Sequence, residues 1–459
     1  MRDYTTLMNT MRETGIGLGA ISGAWWHPAT EPFVMGEAEN ARLREIGRAL
    51  FQFLDAVAAE LHENPNGRFA QRLSHKVPAD ILAHLDLAPV HMFRPDFQIV
   101  PTNNGLDFVL TEIEIAPFSE GCAHAMQLAY GVSPDVVPAF AQWLAGRELL
   151  FVGTHEWSIY QFDQLAFCKA LAAHGAKGRV LYDRETAVME AEIQAGQRWQ
   201  LPLREVPQKL ENWEPTMLGQ IGRYGLAPYA CDEWPEDASN SVIFRFGYVE
   251  NFAPQHRAFF QRWQQQGASF MNPFSYHLDN KVTLEGVRTE GIRQRLDANT
   301  VSVLESCVPE TRQVTADAVP DFTAQKDDWL IKFAGFDQDN AAWGGASVKF
   351  GHEYTLLEWR DLLIKASQLA WPVVAQRIVP SQPLSLDFYR RDGSVGRLQD
   401  GVTRQRTFFL RDDNDAIHCG SHLTLTNGEL RVSEDSNSVQ TPVVFSVGAR
   451  QMGEARPTV

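Results

Sequence analysis

The stretch Thr111-Glu112-Ile113-Glu114-Ile115-Ala116-Pro117-Phe118-Ser119-Glu120-Gly121 ends an apolar run with two carboxylates two residues apart, then breaks at once into proline, serine and glycine. In a β-strand, side chains at i and i+2 share a face, so Glu112 and Glu114 look in one direction. Just upstream, FRPDFQIVP (93–101) and LDFVL (106–110) are β-rich runs separated by TNNG (102–105), which reads as a hairpin. That hairpin puts Asp96 on its first strand and both glutamates near the end of its second. Three acids then meet across one pair of strands, and they repel one another unless a cation neutralises them.

The rest of the chain supplies room for such a site. With 459 residues it exceeds one ordinary core, and its length suggests two to three packed units. A hydrophobic fraction of 44% and a charged fraction of 21% fit a folded globular protein. The formal net charge of -16 argues against nucleic acid or an anionic membrane as partner, because phosphate binding needs a basic footprint. Five widely spaced cysteines without a CxxC pair indicate neither a disulfide framework nor a zinc site, and reduced thiols in a cytoplasm fit best. The N-terminal stretch lacks the apolar core of a signal peptide, and no apolar run is long enough to span a bilayer, so a soluble protein is expected.

Residues 37–63 carry Leu43, Ile46, Leu50, Phe53, Leu54 and Val57 at helical spacing and run out near Pro65 and Gly67, predicting an amphipathic packing helix. ELLFVG (148–153), YQFDQLAFCKALAAHG (160–175) and GRVLYD (178–183) predict a βαβ unit and a parallel sheet. Neither GxGxxG nor GxxxxGK[ST] stands at its turns, which excludes a dinucleotide fold and a P-loop. Strands follow around SVIFRFGYV (241–249), and NPFSYHLDNK (272–281) turns into a helix; the proline-bearing stretch before them, about 207–240, reads as a long irregular connection. The final third, from DDWLIKFAG (327–335), is strand-rich with DG and NG turns. The class is therefore α+β. Three segments are expected: an N-terminal helical one over 1–90, the hairpin and βαβ region over 91–300, and a lid with a strand-rich region over 301–459.

Lys281 follows a turn, and Lys332 sits on a strand before the glycine loop WGGAS (343–347). Two lysines facing a shared cleft would hold phosphate oxygens, and Gly344 and Gly345 would let backbone N–H groups approach them. Carboxylates that take magnesium, two lysines and a glycine loop together describe a phosphoryl-transfer centre. Each part also has a plainer reading. A strand-end lysine is commonly solvated, Arg94 and Asp96 commonly form a structural ion pair, and His124 and His155 are commonly hydrogen-bonded bystanders. Trp25 and Trp26 suit a core or a pocket wall.

The order and character of FRPDF, LTEIEIAP, NPFSYHLDNK, WLIKFAGFDQDNAAWGGASV and VVAQRIVP resembles the ATP-grasp superfamily, most closely its branch containing glutathionylspermidine synthetase, over roughly residues 91–445. The resemblance implies an ATP-grasp fold with a βαβ region ahead of it. It implies magnesium ligands at Asp96, Glu112 and Glu114, ATP-phosphate lysines at Lys281 and Lys332, a flexible loop at Gly344 and Gly345, and an adenine-side strand at Gln376. The implied reaction joins a small-molecule carboxylate to an amine through an acyl-phosphate, with ATP and Mg2+. Arg94 would steady the transferred phosphoryl group, and Ser119 would offer its hydroxyl or N–H to the γ-phosphate. Two positions depart from the pattern. Glu114 stands where the branch usually has asparagine, and Thr424 falls near an expected late arginine, which Arg404 or Arg406 could replace in space. No amidase half is expected, since nothing before residue 90 offers an early cysteine with a partner histidine. A phosphotransferase on the same scaffold and a catalytically decayed nucleotide-binding protein stay open as alternatives.

Overall fold

The computed structural model describes residues 2–14, 26–83, 85–102, 105–117, 120–132, 136–153, 161–182, 234–252, 254–337, 347–413, 415–427 and 438–446. The hairpin reading holds: Met92–Thr102 and Gly105–Glu114 pair antiparallel, with Arg94 opposite Glu114 and Asp96 opposite Glu112. The register shifts between Asp96 and Phe97, whose partner is Leu110, so Thr111 is an extra residue in a β-bulge. The hairpin forms one end of a mixed eight-stranded sheet. Val395–Asp412 pairs with Met92–Thr102, Asp415–Thr426 follows, then Ser438–Phe445, which takes up Trp26–Pro28 and Phe33–Met35 as parallel partners. Leu384–Tyr389 pairs with Val395–Asp412 off the main path.

Strand alternation gives this sheet two unlike faces. Phe93, Phe97, Phe409, Leu423, Leu425, Val439 and Val443 point one way and join the largest core cluster, together with Leu43, Ile46, Leu50, Phe53, Leu54 and Val57 of the helix Glu37–Glu63. The helix starts where its pattern predicts: the Gly36 N–H donates to Glu39 Oε2 at 3.0 Å, and Glu37 and Glu39 complement the dipole of the first turn. Each large apolar side chain so buried contributes about 1.5–3 kcal/mol before entropy is subtracted. The opposite face carries Met92, Phe408 and Leu410 against the helices Glu120–Tyr130 and Val136–Leu144. Between those apolar contacts it presents Arg94, Asp96 and Arg406. The N-terminal segment, expected to be helical, thus also supplies two short strands, whose partner lies some four hundred residues away and leaves no local trace.

The βαβ unit is present. Lys177–Tyr182, Glu148–Gly153, Ser241–Phe246 and Ser269–Phe270 form a parallel sheet in that order, with the helix Gln161–Ala173 as crossover between the first two. A third sheet, Lys349–Phe350, Trp329–Phe333, Val373–Arg377 and Thr311–Gln313, is antiparallel. The helices Val319–Ala324 and Leu356–Gln368 cover it through Phe322, Trp359 and Leu363. After NPFSYHLDN the chain enters the expected helix, which is of the 3-10 type over Lys281–Arg288, with Asn280 Oδ1 accepting from Val282 N at 3.0 Å. Among the described residues no helix is long and apolar enough to cross a membrane.

The third sheet is fastened to this turn. Lys281 N donates to Ala334 O at 2.9 Å, and Gly335 follows with φ at +143°. A Cβ at Gly335 would lie 2.7 Å from Asp279 O. Gly335→Ala is therefore expected to destabilise the protein by about 1–3 kcal/mol, from backbone strain plus a backbone clash. Gly146→Ala, at φ +86° with open space around it, carries the conformational term alone, about 1 kcal/mol. Denaturant unfolding of the two variants side by side measures the difference.

Candidate functional site

The polar face of the large sheet is built row by row. Arg94 and Asp96 face Glu114 and Glu112 across the hairpin. Arg406 stands opposite Asp96 on the next strand, and His422 opposite Arg406 on the one after. Arg404 pairs with Thr424 one row along. Residues directly opposite in an antiparallel sheet share a face, so side chains from four strands converge.

Asp96 is the hub. Its Oδ1 lies 3.1 Å from Arg94 Nε, and its Oδ2 lies 3.5 Å from Arg404 Nη1 and 3.7 Å from Arg406 Nε. Arg406 Nη1 also donates to Thr424 Oγ1 at 3.0 Å and lies 3.4 Å from His422 Nε2. Burial, with the charges of Arg406 and Arg94, keeps His422 neutral, its pKa well below the usual histidine range. The side chains of Asp96, Arg94 and Arg406 are 1%, 3% and 4% exposed, whereas Arg404 is 19% exposed. Arg94 and Asp96 do form an ion pair, but two further arginines share the same carboxylate.

The two lysines arrive from the other side of the glutamates. Lys281 Nζ lies 3.3 Å from Glu112 Oε2. Lys332, on Trp329–Phe333, donates to the Thr111 carbonyl at 2.6 Å and to Gln376 Oε1 at 3.1 Å. The bulge thus has a use: Thr111, the extra residue, gives its carbonyl to Lys332 and donates its own hydroxyl to Asp96 O at 2.9 Å. Gln376 is buried on a central strand, donates to Thr311 Oγ1 at 3.0 Å, and orients Lys332. Beside Lys281 opens a cleft, continuous with solvent, lined by Glu112, Glu114, Tyr248, Asp279, Lys281 and Thr283 among others. Asp279 is held by Arg245 at 2.9 and 3.0 Å and by Val249 N at 2.8 Å.

Burial raises the carboxyl of Glu112, but the charges of Lys281, Lys332 and Arg404 outweigh it and hold its pKa at about 2. Glu114 goes the other way: burial and the charge of Glu112 push it up to about 7, against Arg94 and Lys281. Burial draws Lys332 down to about 8. Among the described residues no group of three or more His, Cys, Asp or Glu side chains is arranged to share a metal ion. Asp96 does not suit a hard cation, because three guanidinium groups surround it. Glu112 and Glu114, next to each other on the cleft wall and repelling one another, do suit one, since magnesium is commonly held by one or two carboxylates and completed by substrate phosphates.

The structure therefore brings together Arg94, Asp96, Glu112, Glu114, Lys281, Lys332, Gln376 and Arg406, with Arg404 beside them. Ser119, Gly344, Gly345, Trp25 and His155 lie outside the described residues. His124 is buried, and burial lowers its pKa to about 4, so it suits no role as a base at neutral pH. Trp26 packs in a satellite core with Leu7, Met8 and Met11. Sequence reading missed Tyr248 and Asp279 on the cleft wall. Their signals were faint: GYVEN follows the carboxyl end of a parallel strand, where ligand sites gather, and Asp279 stands two residues before Lys281.

No protein-family model matches the chain, and no curated protein does. A solved structure, a glutathione synthetase-like effector from Globodera pallida in its apo form, superposes with a TM-score of 0.52 at 9% identity, covering 97% of this chain and 98% of that one. A protein from Methylobacillus flagellatus described as a gamma-glutamylcysteine synthetase aligns at 9% identity over 85% of each chain, with a TM-score of 0.36. At this identity the first likeness shows a shared overall fold.

Glu114 has a measurable consequence. Its carboxyl keeps its proton in the folded state up to about pH 7, whereas the unfolded chain releases it near 4.5, so stability is lost as pH rises through that window. Glu114→Gln is expected to stabilise the ligand-free protein by about 1–2 kcal/mol at pH 8. The gain should vanish below about pH 4.5, and thermal unfolding at both pH values checks it.

Proposed function

We propose that the chain is an ATP-dependent ligase that joins a carboxylate to an amine and releases ADP and phosphate. The observation that carries this reading is the convergence of Lys281 and Lys332 on adjacent residues at the bulge, Glu112 and Thr111, beside a cleft lined by Glu112, Glu114 and Lys281. The likeness in fold to a glutathione synthetase-like effector supports it.

In this reading Lys281 and Lys332 exchange the Glu112 carboxylate and the Thr111 carbonyl for oxygens of the ATP phosphates. Gln376 keeps Lys332 aimed. Glu112 and Glu114 are the residues that would hold magnesium, whose chemistry when bound is to neutralise phosphate charge. The arginines stabilise the negative charge that develops as the substrate carboxylate takes the phosphoryl group. Ser119 and the loop at Gly344 and Gly345 are assigned to the phosphates. The cleft wall beside Lys281, with Tyr248 and Asp279, offers polar groups to an approaching amine. Attack by its free base on the acyl-phosphate forms the amide and expels phosphate.

ADP release is the test, measured with ATP and magnesium against a panel of amino acids, peptides and polyamines offered singly and in pairs. ADP that appears only when one carboxylate and one amine are present together establishes the ligase. ADP formed with a single acceptor indicates a phosphotransferase, and the absence of any nucleotide binding by calorimetry removes the reading. Lys332→Ala should lower kcat/KM at least about 100-fold, since it removes a charged contact to the transferred group. Because Lys332 loses its proton near pH 8, nucleotide affinity in the parent should weaken as pH rises above that value.

A further inference from the structure

Beyond the arginines the same face of the sheet turns neutral. Arg404 stands opposite Thr424, Thr424 opposite Gln440, and His422 lies two residues before Thr424 on the same side. The helix Glu120–Tyr130 packs over these last strands. A Cβ at Gly420, two residues before His422, would come within 2.9 Å of Gln127 Nε2. One turn further along the helix, Tyr130 Oη donates to Ala29 O at 2.6 Å, and Ala29 N donates to Gln440 O at 2.9 Å. Gln127, His422 and Gln440 are thereby gathered between helix and sheet, and they are 2%, 0% and 1% exposed.

Each carries hydrogen-bonding atoms that are shielded from solvent and have no partner among the described residues: Gln127 Oε1, His422 Nδ1, and both Oε1 and Nε2 of Gln440. A guanidinium only donates, so His422 Nε2, 3.4 Å from Arg406 Nη1, accepts, and the single proton of the neutral ring sits on Nδ1. The patch therefore offers two donors, His422 Nδ1–H and Gln440 Nε2, and two acceptors, the Oε1 atoms of Gln127 and Gln440. An unpaired buried polar group opposes folding, so several at one place mark a surface shaped for something other than the core. A carboxylate would pair only the donors. An ammonium would pair only the acceptors and would also meet the charge of Arg406. A primary amide, with two N–H groups and two lone pairs on its oxygen, matches the whole set, and a hydroxyl matches part of it.

We propose that Gln127, His422 and Gln440 form a neutral subsite that takes an uncharged amide group of the carboxylate substrate, with Arg404, at the open end of the row, on the side of its carboxylate. Two strand spacings, about 10 Å, separate the backbones of Arg404 and Gln440, which sets the scale of the ligand: carboxylate and amide at opposite ends of a short chain. The inference rests on the ligase reading and names a group that its carboxylate substrate carries.

The probes are straight-chain carboxylic acids, matched in length, that differ only at the far end: carboxamide, hydroxyl, carboxylate, ammonium or methyl. Their binding to the parent, Gln440→Leu and Gln127→Leu is measured by calorimetry across a series of chain lengths, with and without a non-hydrolysable ATP analogue. At the best length the carboxamide-ended acid should bind the parent about tenfold or more tighter than the methyl-ended one, because only the former pairs the buried atoms. In Gln440→Leu the order should invert in favour of the methyl-ended acid, a change of preference that a general loss of structure does not produce. Equal binding across the end groups, or no binding of the carboxamide-ended acid to the parent, overturns the proposal. So does tightest binding of the hydroxyl-, carboxylate- or ammonium-ended acid, or a carboxamide preference that survives in both variants. Circular dichroism checks the fold; if Gln440→Leu is unfolded, Gln127→Leu on the covering helix and the end-group order in the parent decide. A carboxamide preference without ADP formation from any substrate pair removes the ligase reading and leaves the subsite standing, and ADP formation without that preference does the reverse.

Discussion

Strand Met92–Thr102 is bonded on one side to its hairpin partner and on the other to Val395–Asp412, and the contact between Asp96 and Arg404 closes a separation of 308 residues. That pairing sets the register in which Asp96 faces both Glu112 and Arg406. A slip of one residue would turn every side chain to the wrong face, sending Phe93 and Phe97 out of the core and the charges into it. The apolar face under the helix Glu37–Glu63 resists such a slip, because it buries Phe93, Phe97, Phe409 and Leu423 together. The position of the charged cluster is thus enforced from the far side of the sheet.

The charges themselves do not account for stability. Desolvating Arg94, Arg406 and Asp96 is expensive, and the attraction among them returns that expense only in part. Glu114 is held in a state that opposes folding at neutral pH. Such conflicts gather at functional sites, where a ligand completes what the protein leaves uncompensated. Here Glu112, Glu114 and Lys281 line the cleft.

What the sequence disclosed followed range along the chain. The helix Glu37–Glu63 could be read from its apolar spacing, the hairpin from TNNG, and the βαβ unit from two short apolar runs flanking a glycine-closed helix, because each pattern is complete within some thirty residues. The acids and lysines could be read as a set because their types suit one chemistry. The partners of each could not. Nothing local says that Arg404 and Arg406 reach Asp96, that Gln376 serves Lys332, or that Trp26–Pro28 joins a strand near the end of the chain. Asp96 shows the effect most clearly. Read beside Glu112 and Glu114 it is a third acid awaiting a cation, and only the long-range strand pairing reveals three cations already there.

The bond from Lys281 N to Ala334 O joins the turn bearing one lysine to the strand bearing the other, with Gly335 allowing the close approach. Main chain, unlike side chain, cannot swing to a new rotamer. The two ammonium groups are therefore mounted on a common chassis, and while this bond holds, the strand Trp329–Phe333 moves with the turn at Lys281. Any motion of this region that keeps the bond carries both lysines together.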